Sequence, residues 1–594
     1  MPAYSTVPKP PSLGHRVPDR PHAVSVHLPR WRDVVDFSAG DSRVRSVQKG
    51  GYPRSFLHEA IVTAHRVLAE KFGSDGQSCL LFPTRAYALA CERYLCAPPD
   101  GSAGVAAQEV SVRPFSFAVE QHADRMTLHA AFFPKDKAKN AMIFWRLTGC
   151  GISSRLAQDM LPGLESVSVA DSAADTRLPR DEASEKTIRE RLAGLLDRAP
   201  VDGPREQLVR PEDVFLYPTG MSAIYNCTLA LGGGLPGAQM VVFGFPYELT
   251  LKVQEDFAKA CTFYGFGTDE ELDQFEHLLA SKAAAAPPGE PPIQAVWCEC
   301  ASNPLLRTVD LDRVRRLADR YGFVVVVDDT IGSAANVDVL GVADIVATSL
   351  TKTFSGYADV MGGSLVVNPC SAHHSRLRAL LLDGTSHGTL YRTDAAQLER
   401  NSRDYLSRTA ILNQNASYLV SLLSPLTASH HPRSPLSHVY HPSTCWSAAN
   451  YAARMRAPTA DFAPGFGYLL TLEFCSVEAA GAFFDALRVC KGPSIGAQVT
   501  LALPYVQVVF AQEKAWAARY GLSEAIVRIS VGLEDKTALA MACLEAMRAA
   551  DATVNGEDGG EERDAADAAG VEIGREAVIS GLDSASLPPL VPQI

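Results

Sequence analysis

The chain has 594 residues, of which 47% are hydrophobic and 21% charged, and carries a net charge of −12. With a mean hydropathy near zero, this composition excludes a wholly disordered or collagen-like chain, and the negative balance argues against a nucleic-acid partner. The charge is uneven: from Asp551 onward there are ten acidic and two basic residues, which leaves only −4 on the body.

In chain order, the Pro-rich residues 1–30 predict a disordered start, without the apolar core of a secretory signal. Residues 31–211 read as an N-terminal extension and helical arm. Within them, SFLHEAIVTAHRVLAEKF and EKTIRERLAGLLDRA have helical patterns and 79–82 a strand pattern. Residues 212–385 alternate: helix 219–231, strand 240–244, helix 249–260, strand 293–298, helix 310–321, then strands 324–328, 345–347 and 363–367. Short continuous Val/Ile runs between helices predict an α/β unit whose central, mostly parallel sheet is covered on both faces. Residues 386–549, with helices at 394–424, 476–489 and 536–549 and strands at 467–474 and 526–531, predict a smaller α+β domain. The acidic stretch 550–594 predicts a disordered tail. No internal repeat is evident.

The longest apolar strand run, 323–327, is far short of the ~18 residues a membrane span needs, so no membrane association is expected. Thirteen cysteines, an odd number without a C-x-x-C pair, predict reduced thiols. Both point to a cytoplasmic protein, with the nucleus also open to it. The group His430, His431, His438, His441 and Cys445 has the spacing of no common zinc site, so no metal is expected.

Parallel α/β sheets bind ligands at the carboxyl ends of their strands, and three features follow such ends. Strand 324–328 delivers Asp328, which taken alone is equally a helix cap or turn acid. After strand 345–347, TSLTKTFSG places Lys352 among hydroxyls and small residues, where an amine suits imine formation, although a lone lysine is more often a surface residue. The segment PTGMSAI opens a helix with glycine and hydroxyls, either an ordinary cap or a phosphate cradle. Together they fit one ligand: a phosphate at a helix start, an amine for an imine, and an acid for a pyridinium nitrogen, the handles of pyridoxal 5′-phosphate.

The run VVVVDDT ahead of ATSLTKTFSGYADVMGGS, with TGMSAI, ECASNPLLRTVDL and VRISVGLED, resembles the cysteine/methionine-metabolism family of fold-type-I pyridoxal phosphate enzymes. The upstream PHAVSVHLPRWRDVVDF and GYPRSFLHEAI resemble the extension of its fungal-type cystathionine gamma-synthases. The resemblance implies that Lys352 links the cofactor as an imine and shuttles protons, and that Asp328 keeps the ring nitrogen protonated. It implies that Asn303 faces the ring hydroxyl, and that Gly220, Met221, Ser349 and Thr351 hold the phosphate. Tyr247 matches the tyrosine stacked on the ring, although alone it reads as a core aromatic. Arg528, on a strand where an inward arginine needs an anion, matches the group that grips the substrate α-carboxylate. Ser494 matches the serine of the turn beside the lysine.

Three positions depart from the pattern. The family's Tyr-x-Arg, which reaches a neighbouring subunit's phosphate, is Phe144-Trp145-Arg146 here, with Arg155 as the alternative arginine. The acid often found before the turn serine is Pro493. Tyr247 is followed by Glu-Leu instead of two glycines. The resemblance implies γ-replacement, forming cystathionine from an O-acylhomoserine and cysteine in a homodimer or homotetramer. A cystathionine gamma-lyase, an O-acylhomoserine sulfhydrylase and a catalytically silent cofactor-binding paralogue share the same cofactor residues.

Overall fold

In the computed structural model, which describes residues 6–51, 55–118, 125–170, 178–233, 239–287, 289–384 and 390–556, the stretch read as an extension and arm contains its own sheet. Strands β1 (Gln77–Phe82), β2 (Ser111–Phe117), β3 (Met126–Pro134) and β4 (Ser168–Val169) are ordered β1-β3-β2-β4, and every pair is antiparallel. Helices Glu59–Phe72, Arg85–Cys96, Ala138–Thr148 and Ser154–Met160 surround it. Strands β2 and β3 escaped the sequence reading because Pro114 and the alanines of MTLHAAFFP are poor strand signals. Burial overrides propensity here: Leu128, Ala130, Ala131 and Phe132 are fully enclosed.

The second sheet has seven strands: β5 (Val214–Tyr217), β6 (Gln239–Phe243), β7 (Ala260–Tyr264), β8 (Ala295–Glu299), β9 (Val324–Asp328), β10 (Ile345–Thr348) and β11 (Gly363–Val367). Their order is β5-β11-β10-β9-β8-β6-β7. All run the same way except β11, which is antiparallel to both neighbours. Helices Gly220–Gly233, Glu248–Phe257, Asp269–Ala285 and Leu311–Tyr321 link the strands, giving the expected α/β architecture. Helix Leu311–Tyr321 starts where the Asp310 carboxylate accepts from Arg313 N at 2.7 Å. It stops at Gly322, whose φ of 77° favours glycine. Its buried Leu311, Val314, Leu317 and Ala318 face Val325 and Val327 of β9 in one apolar cluster, while Val324 and Val326 join the cluster on the opposite face. Enclosing each such valine contributes about 1.5–3 kcal/mol, which anchors the strand that carries Asp328.

The third sheet, β12 (Leu436–Tyr440), β13 (Leu469–Phe474), β14 (Cys490–Lys491), β15 (Leu501–Leu503) and β16 (Ile526–Ser530), is ordered β12-β13-β16-β15-β14. Helices Tyr405–Leu423, Val477–Ala486 and Lys536–Asn555 share its core.

Two expectations of disorder need correction. Within 1–30, Val17, Val26 and Leu28 are buried, Val24 N donates to Ala358 O at 2.8 Å and Leu28 N to Lys491 O at 2.9 Å. Alternating apolar residues, too few to stand out among prolines, find a ready surface on the second and third sheets' domains. At the other end, the last helix runs to Asn555 because Ala550 is fully buried; the rest of the acidic tail, 557–594, lies outside the described residues, as do 1–5. The thirteen cysteines are unpaired thiols. No helix among the described residues is long and apolar enough to cross a membrane.

Candidate active site

Strands β5, β8, β9 and β10 end on one edge of the second sheet, and the turns that follow them surround an open cleft. Lys352, Asp328, Asn303 and Tyr247 line it with Gly220, Met221, Ser349, Thr351, Arg528 and Arg146. Segments far apart in the chain are therefore gathered at the carboxyl edge of a parallel sheet, where ligands bind.

Lys352 is buried in the turn after β10. Its N–H donates to Ser349 O at 3.2 Å and its carbonyl accepts from Gly356 N at 2.7 Å. The 494–496 turn presses on this backbone: a Cβ on Gly496 would lie 3.0 Å from the Lys352 carbonyl carbon. Ser494 itself is buried and lies outside the cleft lining, which Pro493 and Ile495 reach.

Asp328 accepts from Thr330 N at 2.8 Å, and burial pushes its carboxyl above the usual range. Only a positive partner would offset that cost, which is what a protonated pyridine nitrogen offers. Beside it, fully buried Asp329 accepts from Thr348 Oγ1 at 2.6 Å. Its Oδ2 has no partner among the described residues, and burial raises its pKa to about 7.

Between the ordinary 3.8 and about 7 the folded protein keeps a proton on Asp329 that the unfolded chain releases, so stability falls as pH rises across that window. Asp329→Asn should remove this loss. The expected result is a thermal midpoint for the apoprotein that drops less between pH 5 and pH 8 than in the parent. A profile unchanged from the parent would discard the assignment.

Glu299 is the cleft residue that the sequence reading passed over, although its place at the end of β8 marked it. It pairs with Asp328 across the β8–β9 ladder and accepts from Tyr247 N at 2.7 Å. Burial, then the Asp328 charge, raises its pKa. Tyr247 thereby starts helix Glu248–Phe257 at the cleft wall.

At the other end of the cleft, Thr219 Oγ1 accepts from Ser222 N at 2.9 Å and donates to Gly149 O at 3.2 Å, opening helix Gly220–Gly233. A Cβ on Gly220 would sit 2.8 Å from Ser349 Cβ, so only glycine lets the helix start meet the lysine turn. Ser349 N donates to Thr330 Oγ1 at 2.8 Å. The Thr351 hydroxyl faces backbone instead, bonding Gly362 O at 3.3 Å and Gly362 N at 3.1 Å. Free amides at a helix start suit a phosphate.

Arg146 lines the cleft of its own chain, where its Nη2 meets Glu248 Oε1 at 3.4 Å. Its Nε is buried without a partner among the described residues. Arg155 is elsewhere, paired with Asp394 at 3.2 Å and lining a smaller adjacent cavity. Arg528, buried on β16, donates to Asn303 Oδ1 at 3.1 Å and to Pro493 O at 3.0 Å. An amine, a buried carboxylate, helix-start amides and a second cation are the donor set that a phosphorylated pyridine aldehyde requires, and the residues fit that group.

Residues 203–548 match the Cys/Met metabolism PLP-dependent enzyme family, and residues 61–153 match the N-terminal domain of fungal trans-sulfuration enzymes. The chain is 37% identical to an alanine racemase, ungC, of Aspergillus violaceofuscus, over 92% of this chain and 98% of that one. It is 32% identical to the cystathionine gamma-synthase of Neurospora crassa, over 91% and 98%. A cystathionine gamma synthase of Xanthomonas oryzae, solved with cystathionine, shares the fold at a TM-score of 0.51 and 24% identity, over 65% of this chain and 92% of that one. The chain therefore belongs to the Cys/Met-metabolism family of PLP-dependent enzymes, with pyridoxal 5′-phosphate as its cofactor.

Proposed function

We propose that the protein catalyses γ-replacement, making cystathionine from an O-acylhomoserine and cysteine. The observation that carries this reading is that Lys352, Asp328 and Arg528 line a single cleft. When bound, the cofactor supplies an electron sink that acidifies the protons at the substrate's Cα and Cβ.

Arg528 binds the α-carboxylate through its fork of N–H donors and so fixes which Cα bond faces the lysine. The Lys352 amine takes the Cα proton, gives it up, and is then free to take one from Cβ, and the acyloxy group leaves Cγ as the carboxylate. Cysteine thiolate adds at Cγ, and Lys352 returns one proton to Cβ and, once reprotonated, one to Cα. One amine held at the reacting carbon serves every transfer. Asp328 would stay ionised against the ring nitrogen, Tyr247 and Asn303 would contact the ring, and Ser349 with the amides of Gly220 and Met221 would hold the phosphate. Thr351 supports that loop through Gly362. Ser494 backs the lysine turn.

The test is product analysis of the purified enzyme with acetyl-, succinyl- and phosphohomoserine, each offered with cysteine or sulfide. Cystathionine from cysteine is the expected product. Turnover with sulfide alone, or cleavage of cystathionine, would replace this reading with a sulfhydrylase or lyase.

The 37% identity to an alanine racemase favours a second reading, in which Lys352 exchanges the Cα proton of a small amino acid. Loss of optical rotation from L-alanine without release of any group would select it. In both readings Arg528→Ala should raise KM about 10- to 100-fold, the worth of one charge-assisted bond pair, with a smaller fall in kcat. Loss of bound cofactor would instead make Arg528 structural.

A further inference from the structure

The first and second sheets share a plan. In the first, helix Glu59–Phe72 packs on β1, and in the second, helix Glu182–Leu196 packs on β5. Each strand then runs into Pro-Thr and a helix: Leu81-Phe82-Pro83-Thr84 before Arg85–Cys96, and Leu216-Tyr217-Pro218-Thr219 before Gly220–Gly233. Each threonine hydroxyl accepts the amide three residues on, Tyr87 N at 3.4 Å and Ser222 N at 2.9 Å. The next two strands in the first sheet, β2 and β3, stand in the order β1-β3-β2, antiparallel throughout. The second sheet repeats this as β5-β11-β10, again with both pairs antiparallel. After β3 come helices Ala138–Thr148 and Ser154–Met160; after β11 come His374–Gly384 and Arg392–Asn401. Aligning Ala157-Gln158 with Ala396-Gln397 puts Arg155 opposite Asp394.

The two copies meet as the halves of a symmetric dimer do. Helices Ser154–Met160 and Arg392–Asn401, equivalent to each other, pack together, and the equivalent residues Arg155 and Asp394 form an ion pair at 3.2 Å. Contact between a residue and its own counterpart marks a two-fold axis. Tyr87 on one copy bonds Asn226 on the other at 3.2 Å, and Tyr225 and Tyr391 of the second copy sit in the first copy's core.

The copies are unequal. The first has no counterpart of β6–β9, and so none of Asp328; no lysine stands between β2 and β3, and Arg85 replaces Gly220. What it retains is the segment that follows its third strand, and this reaches the working cleft with Trp145, Arg146, Gly149, Gly151 and Ile152.

We propose that residues 59–160 are a degenerate second copy of the cofactor-binding core, seated as an internal partner, and that they complete the one cofactor site within the same chain through Arg146 at its phosphate end. The inference does not depend on which amino acid is turned over.

The test is cofactor binding in full-length chains co-expressed as two tagged variants, Lys352→Ala and Arg146→Ala, stripped and titrated with pyridoxal 5′-phosphate. Separately, the first should bind without the visible imine band, and the second should show the band with affinity weakened about tenfold or more. The co-expressed preparation should give the sum of those two isotherms and nothing else. A new population that has both the band and parental affinity, approaching one site in four, would mean that Arg146 crosses to another chain and would overturn the proposal. Parental affinity in the Arg146→Ala protein alone would overturn it as well.

Discussion

Lys352→Ala should lower turnover by about 10⁴-fold, the upper range for removing a positioned acid–base group, while leaving the fold intact. The turn that carries Lys352 is held by backbone bonds to Ser349 and Gly356 and by the 494–496 turn packed behind it, none of which needs the amine. Cofactor should still bind through the helix start and Asp328, but without the absorption of the imine. Far-ultraviolet circular dichroism, the visible spectrum and the rate together check the result. Turnover within tenfold of the parent would remove Lys352 from the reaction.

Asp328→Asn should cut turnover about 10²-fold, since one charge-assisted bond is worth roughly 1.5–3 kcal/mol and 1.36 kcal/mol is tenfold in rate. The amide fills the same space and can still accept from Thr330 N, but it cannot hold a proton on the ring nitrogen. The apoprotein should move the other way. Burial raises the Asp328 carboxyl above its ordinary 3.8, so the folded state binds that proton more tightly than the unfolded chain. Stability is therefore lost as pH rises past the unfolded value, and the asparagine variant escapes that loss. A thermal midpoint higher than the parent's at pH 8, combined with slower turnover, is the expected pair. An apoprotein destabilised at pH 8 would show that the carboxylate has a structural partner instead.

Much of the second sheet was legible because its strands are continuous valine and isoleucine runs, buried on both faces and bounded by glycine or acid. Strand β9 and the position of Asp328 at its end follow directly from VVVVD. Strand β7 was not: ACTFY lies at the sheet edge, and its alanine continued the preceding helical pattern. The first sheet was hidden for a related reason, since β3 owes its strand form to enclosure by helices and not to its own residues. Within the cleft, Lys352 and Gly220 were marked by local sequence; Glu299 was marked only as a strand end, and the β8–β9 register alone sets it against Asp328. The internal duplication escaped notice because the two copies share little beyond Leu-x-Pro-Thr; strand order and direction reveal it.

The amino-acid sequence by itself determined the α/β core, the lysine, the aspartate and the helix start, because each rests on a short local pattern: apolar runs, a small-residue turn, a capped helix. Tertiary structure alone decided which residues share the cleft. Whether Arg146 or Arg155 reaches it depends on how one sheet docks on another. That docking arises from packing between segments hundreds of residues apart, to which no local pattern is sensitive.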